Sequence, residues 1–229
     1  MKVLVACEES QVVCKAFREK GHEAYSCDII ECSGGHPEWH IMEDVLPLLN
    51  GDCEFQTLDG TKHKIAGKWD MILAFPPCTY LTVTGNRWFD VIRYGKTAQE
   101  RWLARCKAIV FFLLLIFADC EKIVVENPIG IMSSVYKKPE QIIHPYYFAE
   151  EQDDENCERK STCLWLKGVE PLKYEIKYTP RIIAYKNGKG TDSAWHVNTM
   201  GLPPDERAKA RSKTFPGIAK AMAEQWGVK

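Results

Sequence analysis

A thiol set directly behind two prolines and a carboxylic acid set directly before Asn-Pro stand out in this chain of 229 residues: Phe75-Pro76-Pro77-Cys78-Thr79 and Glu126-Asn127-Pro128. Each closes a short apolar run, Trp69 to Phe75 in the first case and Lys122 to Glu126 in the second. Prolines fix the local backbone, so a side chain that follows them at a strand end is held at the cleft. A free thiol has a pKa of about 8.5 and is mostly protonated near neutrality, so Cys78 needs local help to act as a nucleophile. Taken by itself it reads more commonly as an inert buried cysteine. A carboxyl at the end of an apolar strand is partly desolvated and keeps its proton more readily, which suits Glu126 to donating a hydrogen bond or a proton.

The elements that must position these groups alternate along the chain. Lys2 to Ala6 reads as a strand, Gln11 to Lys20 as a helix stopped by Gly21, and Glu23 to Cys27 as a second strand ending at Asp28. Trp69 to Phe75 is a third strand, Thr97 to Cys120 the longest helix, Lys122 to Glu126 a fourth strand, Ser161 to Leu166 another, and Phe215 to Trp226 a closing helix. This order predicts one α/β domain, a mostly parallel Rossmann-like sheet with helices on both faces and right-handed crossovers. Ligands of such sheets lie outside the carboxyl ends of the strands, where this chain places Cys7-Glu8-Glu9-Ser10, Asp28, Cys78 and Glu126. An acid after the second strand, here Asp28, is the usual partner of a ribose hydroxyl pair, although a surface aspartate opening a loop would look the same.

In this order and on successive strands, Pro76-Pro77-Cys78 and Glu126-Asn127-Pro128 resemble the Pro-Cys and Glu-Asn motifs of the cytosine-5 DNA methyltransferase family, in the compact form found in phages and prophages. Asp28 matches that family's ribose-holding acid, Asp44 in Glu43-Asp44-Val45 its adenine-contacting aspartate, and Ser212-Lys213-Thr214-Phe215-Pro216-Gly217 its last motif. The resemblance implies S-adenosyl-L-methionine as cofactor, with Cys7, Glu8, Glu9, Ser10, Asp28, Ile29, Asp44, Val45, Pro76 and Thr214 around it. It implies Cys78 as the nucleophile and Glu126 as the acid of methyl transfer to C5 of cytosine. Substrate contacts then fall to Pro77, Thr79, Arg87, Trp88, Asn127, Pro128, Arg159 and Lys160. A base in a duplex must leave the stack to be reached. The loop Thr79 to Phe89 follows the nucleophile and is placed to close over it, with Gly85 as hinge, or else Trp88 and Phe89 are core contacts of the next helix.

Three departures from the family bear on function. The first loop, Ala6 to Gln11, has no glycine, so a carboxylate, Glu8 or Glu9, is expected to take the methionine ammonium, with the Ser10 hydroxyl and the helix amino end serving its carboxylate. The family's Gln-Arg-x-Arg motif is absent, and Arg159 or Lys160 is the best-placed substitute. Only about 80 residues separate Gly130 from the closing motif, so a single domain over 1–229 carries a reduced variable region at about 131–210 in place of a full target-recognition domain.

The formal net charge of −1 excludes a broadly basic DNA-binding surface and leaves a local patch, for which Arg87, Lys137, Lys138, Lys186, Lys189, Arg207 and Lys209 are the candidates. DNA, duplex or single-stranded, is the expected partner. RNA, a free pyrimidine nucleotide, and a catalytically silent binding protein stay open. The 10 cysteines contain no C-x-x-C pair, and Cys27, Cys32, His36 and His40 lack the spacing of a common finger, so no metal is expected. The opening Met1-Lys2-Val3-Leu4-Val5 does not read as an export signal, and the longest apolar run, Ala108 to Ala118, is short of the roughly 20 residues that span a bilayer. A reducing cytoplasm, that of the host if phage-encoded, is the expected compartment.

Overall fold

The computed structural model describes residues 1–185 and 190–228; Lys186 and Lys189 lie outside the described residues. Its centre is a seven-stranded sheet in the order β3-β2-β1-β6-β7-β9-β8. The strands are β1 (Lys2–Ala6), β2 (Glu23–Asp28), β3 (His40–Met42), β6 (Met71–Ala74), β7 (Ile123–Pro128), β8 (Gln141–Ile143) and β9 (Thr162–Lys167), and the hairpin β4 (Cys53–Gln56) and β5 (Lys62–Ile65) stands apart. Pairings from β3 through β7 are parallel, while β9 runs antiparallel to both β7 and β8. The α/β, Rossmann-like expectation therefore holds. A second hairpin, β10 (Ile182–Ala184) with β11 (Thr191–Ser193), lies outside the main sheet.

Alternation along β1 explains the layers. Val3 and Val5 face one core with Phe17 of α1 (Val12–Glu19) and Ile218 and Met222 of α6 (Pro216–Trp226). Leu4 and Ala6 face the other, with Phe112, Leu115 and Ile116 of α2 (Val91–Ile116). Successive residues on a strand point to opposite faces, so a strand buried on both faces is a continuous apolar run, as Val3 to Ala6 of β1 and all of β6 are. The short helices α3 (Met132–Val135), α4 (Ala194–Thr199) and α5 (Pro204–Ser212) complete the chain.

The largest differences from the sequence reading are at the two ends of α2. Helix α2 starts earlier than Thr97, because the Asp90 side chain accepts from the Arg93 amide at 3.1 Å and caps a first turn that Gly95, at φ 50°, then kinks. It ends at Ile116 and not Cys120, where the Asp119 amide turns away to Asn50 Oδ1 at 3.0 Å. Among the described residues no helix is long and apolar enough to cross a membrane.

Candidate active site

The strand order reverses between β1 and β6, and the Phe75 amide, just past β6, donates to Ala6 O at 2.9 Å. Such a switch point opens a crevice at the carboxyl ends. In β6 and β7, Ala74 pairs with Val125, so Cys78 and Glu126 leave the sheet from neighbouring strand ends, as the sequence leads one to expect. Asn127, 1% exposed, fixes their relation: its Nδ2 donates to Pro76 O at 2.8 Å, tying the Pro-Pro-Cys turn to the end of β7.

Glu126 is the unusual group. Its Oε1 is buried without a hydrogen-bond partner among the described residues, as is Asn127 Oδ1 beside it. Burial pushes the Glu126 carboxyl above the ordinary range, with Lys160 pulling the other way. Cys78 is exposed as a residue, yet its thiol is crowded by protein. That desolvation and then the Glu126 charge push the thiol up, and the Lys160 ammonium opposes both. The acid thus keeps its proton more readily than an ordinary carboxyl, and a nearby cation favours ionisation of the thiol. Among the described residues Lys160 is the cation that bears on both groups; its Nζ donates to Arg211 O at 3.2 Å, with the rings of Trp195 at 5.5 Å and Phe215 at 5.9 Å. Arg159 is exposed, and its amide donates to Ser193 Oγ at 3.3 Å. Of the two proposed substitutes for the family arginine, the structure brings Lys160 to the site.

The two chemical strand ends are also stitched together beyond Cys78 and Pro128. Cys78 O accepts from the amides of Leu81 and Thr82 at 2.9 and 3.0 Å, the Ile131 amide donates to Leu81 O at 2.8 Å, and Thr82 and Gly130 form a bridge. A Cβ on Gly130 would stand 2.2 Å from Leu81 O, so only glycine permits this closeness. Gly130→Ala is expected to destabilise the fold by about 1–3 kcal/mol, through overpacking against backbone, as the turn after Cys78 is pushed off β7. Urea unfolding checks this; an unchanged midpoint would show that the crossing yields freely.

Residues 79–89 are partly core and partly surface. Thr79 and Pro77 are exposed, and Pro76 is buried. Phe89, 6% exposed, packs against Trp102 with the guanidinium of Arg105 3.4 Å from its ring centroid. Arg105, itself 3% exposed, donates to Tyr80 O and to Asn86 Oδ1, both at 2.7 Å. Gly85 lies inside the 3-10 turns Val83–Phe89 that Arg105 clamps, so this loop is anchored at Phe89 and does not hinge freely at Gly85. Sequence reading missed Arg105, because an arginine in an amphipathic helix ordinarily reads as solvated. Trp88 stays exposed, with the Arg87 guanidinium 4.7 Å from its ring and Tyr94 at 5.2 Å.

On the other side of the switch point, the glycine-free loop takes the backbone that glycine would allow: Cys7 and Gln11 lie at φ 60° and 58°. Glu8, 4% exposed, accepts from the amides of Val13 and Cys14 at 2.6 and 3.1 Å, and burial holds its carboxyl up at about 7 against those bonds. The helix amino end expected to serve a ligand is thereby taken, and Glu8 is a cap. Glu9 differs: its Oε2 is buried without a hydrogen bond, with Lys209 Nζ at 3.8 Å. Asp28 is half-buried; burial raises its carboxyl, while the amides of Ile29 and Ile30 lower it. Ile29 is 77% exposed beside it. Asp44 is exposed and accepts from the Leu46 amide at 3.0 Å, whereas the Val45 side chain is buried in the core and leaves only backbone for a ligand. Cys7 lies close enough to Asp28 and Asp44 that, after burial, their charges raise its thiol. Ser10 is buried, and Thr214 is half-buried just ahead of α6. An orphaned Glu9 oxygen, an acid at the end of β2 and an exposed isoleucine next to it fit a ligand with an ammonium group, a ribose and a flat ring.

His40 is satisfied at both ring nitrogens, by Ser26 Oγ at 2.9 Å and Ile30 O at 2.8 Å, and His36 stacks on Trp39 at 3.8 Å. Among the described residues no three His, Cys, Asp or Glu side chains are grouped to hold a metal. Between Ile131 and Ala210 the chain spends β8 and β9 on the main sheet. What remains is the β10–β11 hairpin with α4 and α5, fastened by Glu158: 2% exposed, it pairs with Arg181 at 2.7 Å and accepts from the Trp195 amide at 2.9 Å and from Ser193 Oγ. Of the remaining surface cations, Lys137 pairs with Glu140, Lys138 is exposed, and Arg207 donates to Met200 O at 3.2 Å.

No protein-family model matches the chain, and no curated protein does. Among solved structures, a prophage-encoded E. coli protein provisionally described as a DNA modification methyltransferase is similar at 12% identity and a TM-score of 0.41, over 78% of this chain and 52% of that one. The chain thus spans about half the length of that structure, and a likeness at this score adds nothing to the topology above.

Proposed function

We propose that this chain is an S-adenosylmethionine-dependent methyltransferase acting on C5 of cytosine in DNA. The observation that carries the reading is the pair Cys78 and Glu126 on neighbouring strand ends, with a buried carboxyl oxygen that has no protein partner. An acid whose burial favours its protonated form, with an unmet hydrogen-bonding group, is suited to a ring nitrogen that must be protonated.

Cys78 Sγ, ionised under the influence of Lys160, bonds to C6 of the ring while Glu126 gives its proton to N3. The C5=C6 electrons are thereby released to an enamine with C5 as the nucleophilic carbon. S-adenosylmethionine, when bound by Glu9, Asp28, Ile29 and Asp44, supplies the electrophilic methyl group that C5 takes up. A solvent water takes the C5 proton as the Cys78 thiolate departs, restoring the C5=C6 bond, and Glu126 recovers its proton from N3. Asn127 is a positioning residue that holds Pro76, and so Cys78, against the end of β7.

Arg87 over the exposed Trp88 and Arg93 over the half-buried Tyr94, the latter at 5.3 Å, put rings and cations just after the nucleophile. This arrangement favours a polynucleotide over a free nucleotide, because rings stack neighbouring bases and arginines take phosphates. One domain with a small recognition element, the β10–β11 hairpin with α4 and α5, goes with this reading. The test is transfer of labelled methyl from S-adenosylmethionine to duplex DNA, single-stranded DNA, RNA and dCMP in parallel. Label recovered as 5-methylcytosine in DNA is expected. Label on another atom, or none on any substrate while the cofactor binds, would overturn the assignment.

A further inference from the structure

Helix α2 carries more apolar surface than its core contacts use. Its inward stripe, Ala98, Arg105, Phe112, Leu115 and Ile116, is buried. The outward side nevertheless shows Leu103 at 61%, Val110 at 56%, Leu114 at 47% and Phe117 at 66% exposure, with the exposed Cys106 between them. Spacings of seven, four and three put these residues on one face. A helix apolar on both sides is ordinarily covered on both sides.

We propose that this face is the interface of a two-fold dimer in which α2 pairs antiparallel with α2 of a second copy, centred on Val110. About that centre the stripe is self-complementary: Val110 meets its own copy, Leu103 faces Phe117 and Cys106 faces Leu114. A contact of this kind needs the same patch on both subunits, which a two-fold axis supplies. Charge selects the direction. Lys96, which pairs with Glu100 of its own helix at 3.9 Å, and Lys107 lie on this side of the helix, and the exposed Glu121 follows its carboxyl end beyond Asp119. Antiparallel pairing brings the Lys96 end of one copy to the Glu121 end of the other, whereas parallel pairing stacks each lysine on its own copy. The four side chains offer on the order of 400 Å² of apolar surface per copy, the size of a reversible interface and not of an obligate one.

Sedimentation velocity of the full chain between about 1 and 200 μM is expected to show the mass rising from one copy toward two. Val110→Glu with Leu114→Lys is expected to stay monomeric over that range with an unchanged circular dichroism spectrum and midpoint of unfolding. Leu114→Cys is expected to give a dimer on a non-reducing gel after mild oxidation, through Cys106 of the second copy, and the further change Cys106→Ala is expected to abolish it. A wild-type monomer throughout would overturn the dimer. A cross-link in Leu114→Cys that is missing, or that survives loss of Cys106, would overturn the antiparallel register.

Discussion

Cys78→Ser is expected to fold as the parent does and to transfer methyl at least about a thousandfold more slowly, the scale on which removal of a covalent nucleophile acts. The geometry sets this expectation. The residue sits at the end of a proline-fixed turn, and a hydroxyl, smaller than the thiol, fits the same space. A serine hydroxyl cannot ionise under the influence of Lys160 alone, and the bond to C6 then has no nucleophile. Equal unfolding midpoints with label absent from DNA would separate chemistry from structure. Full activity in Cys78→Ser would remove the covalent step.

The second large effect belongs to Glu126. Glu126→Gln keeps the shape and a hydrogen-bond donor but has no proton to give, and turnover is expected to fall by about 10²–10⁴ while cofactor affinity is unchanged. The pH dependence follows from the directions found. Cys78 must lose a proton from a thiol pushed up by burial and by Glu126, so the rate rises with pH on that account. Glu126 must keep its proton, and its carboxyl is pushed up by burial, so activity persists above the ordinary carboxylate range and declines once the acid ionises. A profile with two limbs is expected for the parent, and Glu126→Gln should retain only the limb that rises with pH. The same burial favours the folded state below the ordinary carboxylate pKa, and that contribution is lost as pH rises through the raised one. A two-limbed profile in Glu126→Gln would sink the assignment.

How much of this was legible beforehand follows from the physics of each part. The parallel sheet was, because strands buried on both faces are continuous apolar runs and their ends are marked by Pro76, Asp28 and Asn127. The pairing of Cys78 with Glu126 was, because adjacent parallel strands bring their carboxyl ends together. The hairpin β4–β5 was announced by Asp59-Gly60 between alternating residues, a turn signal that was passed over. The assignments within the first loop were not legible. Whether Glu8 or Glu9 faces a ligand depends on the left-handed turn at Cys7, and nothing local marks a cysteine for that conformation. Arg105 could not be found either, since what buries it is the returning 3-10 turn 83–89, a tertiary event.

The two left-handed residues of that loop also differ in how freely they can be exchanged. Gln11 is wholly buried, and its amide donates to Ser26 Oγ at 3.2 Å and His36 O at 2.8 Å and accepts from the His36 amide at 3.0 Å. Those bonds offset the roughly 1 kcal/mol or more that a side chain costs in this backbone region, and glycine there would forfeit them. Cys7 has the same backbone cost with no such anchor, so Cys7→Gly is expected to be tolerated in thermal unfolding where Gln11→Gly is not. The loop from Cys7 to Gln11 is thus fixed at its far end by a buried amide and left open to glycine at its near end.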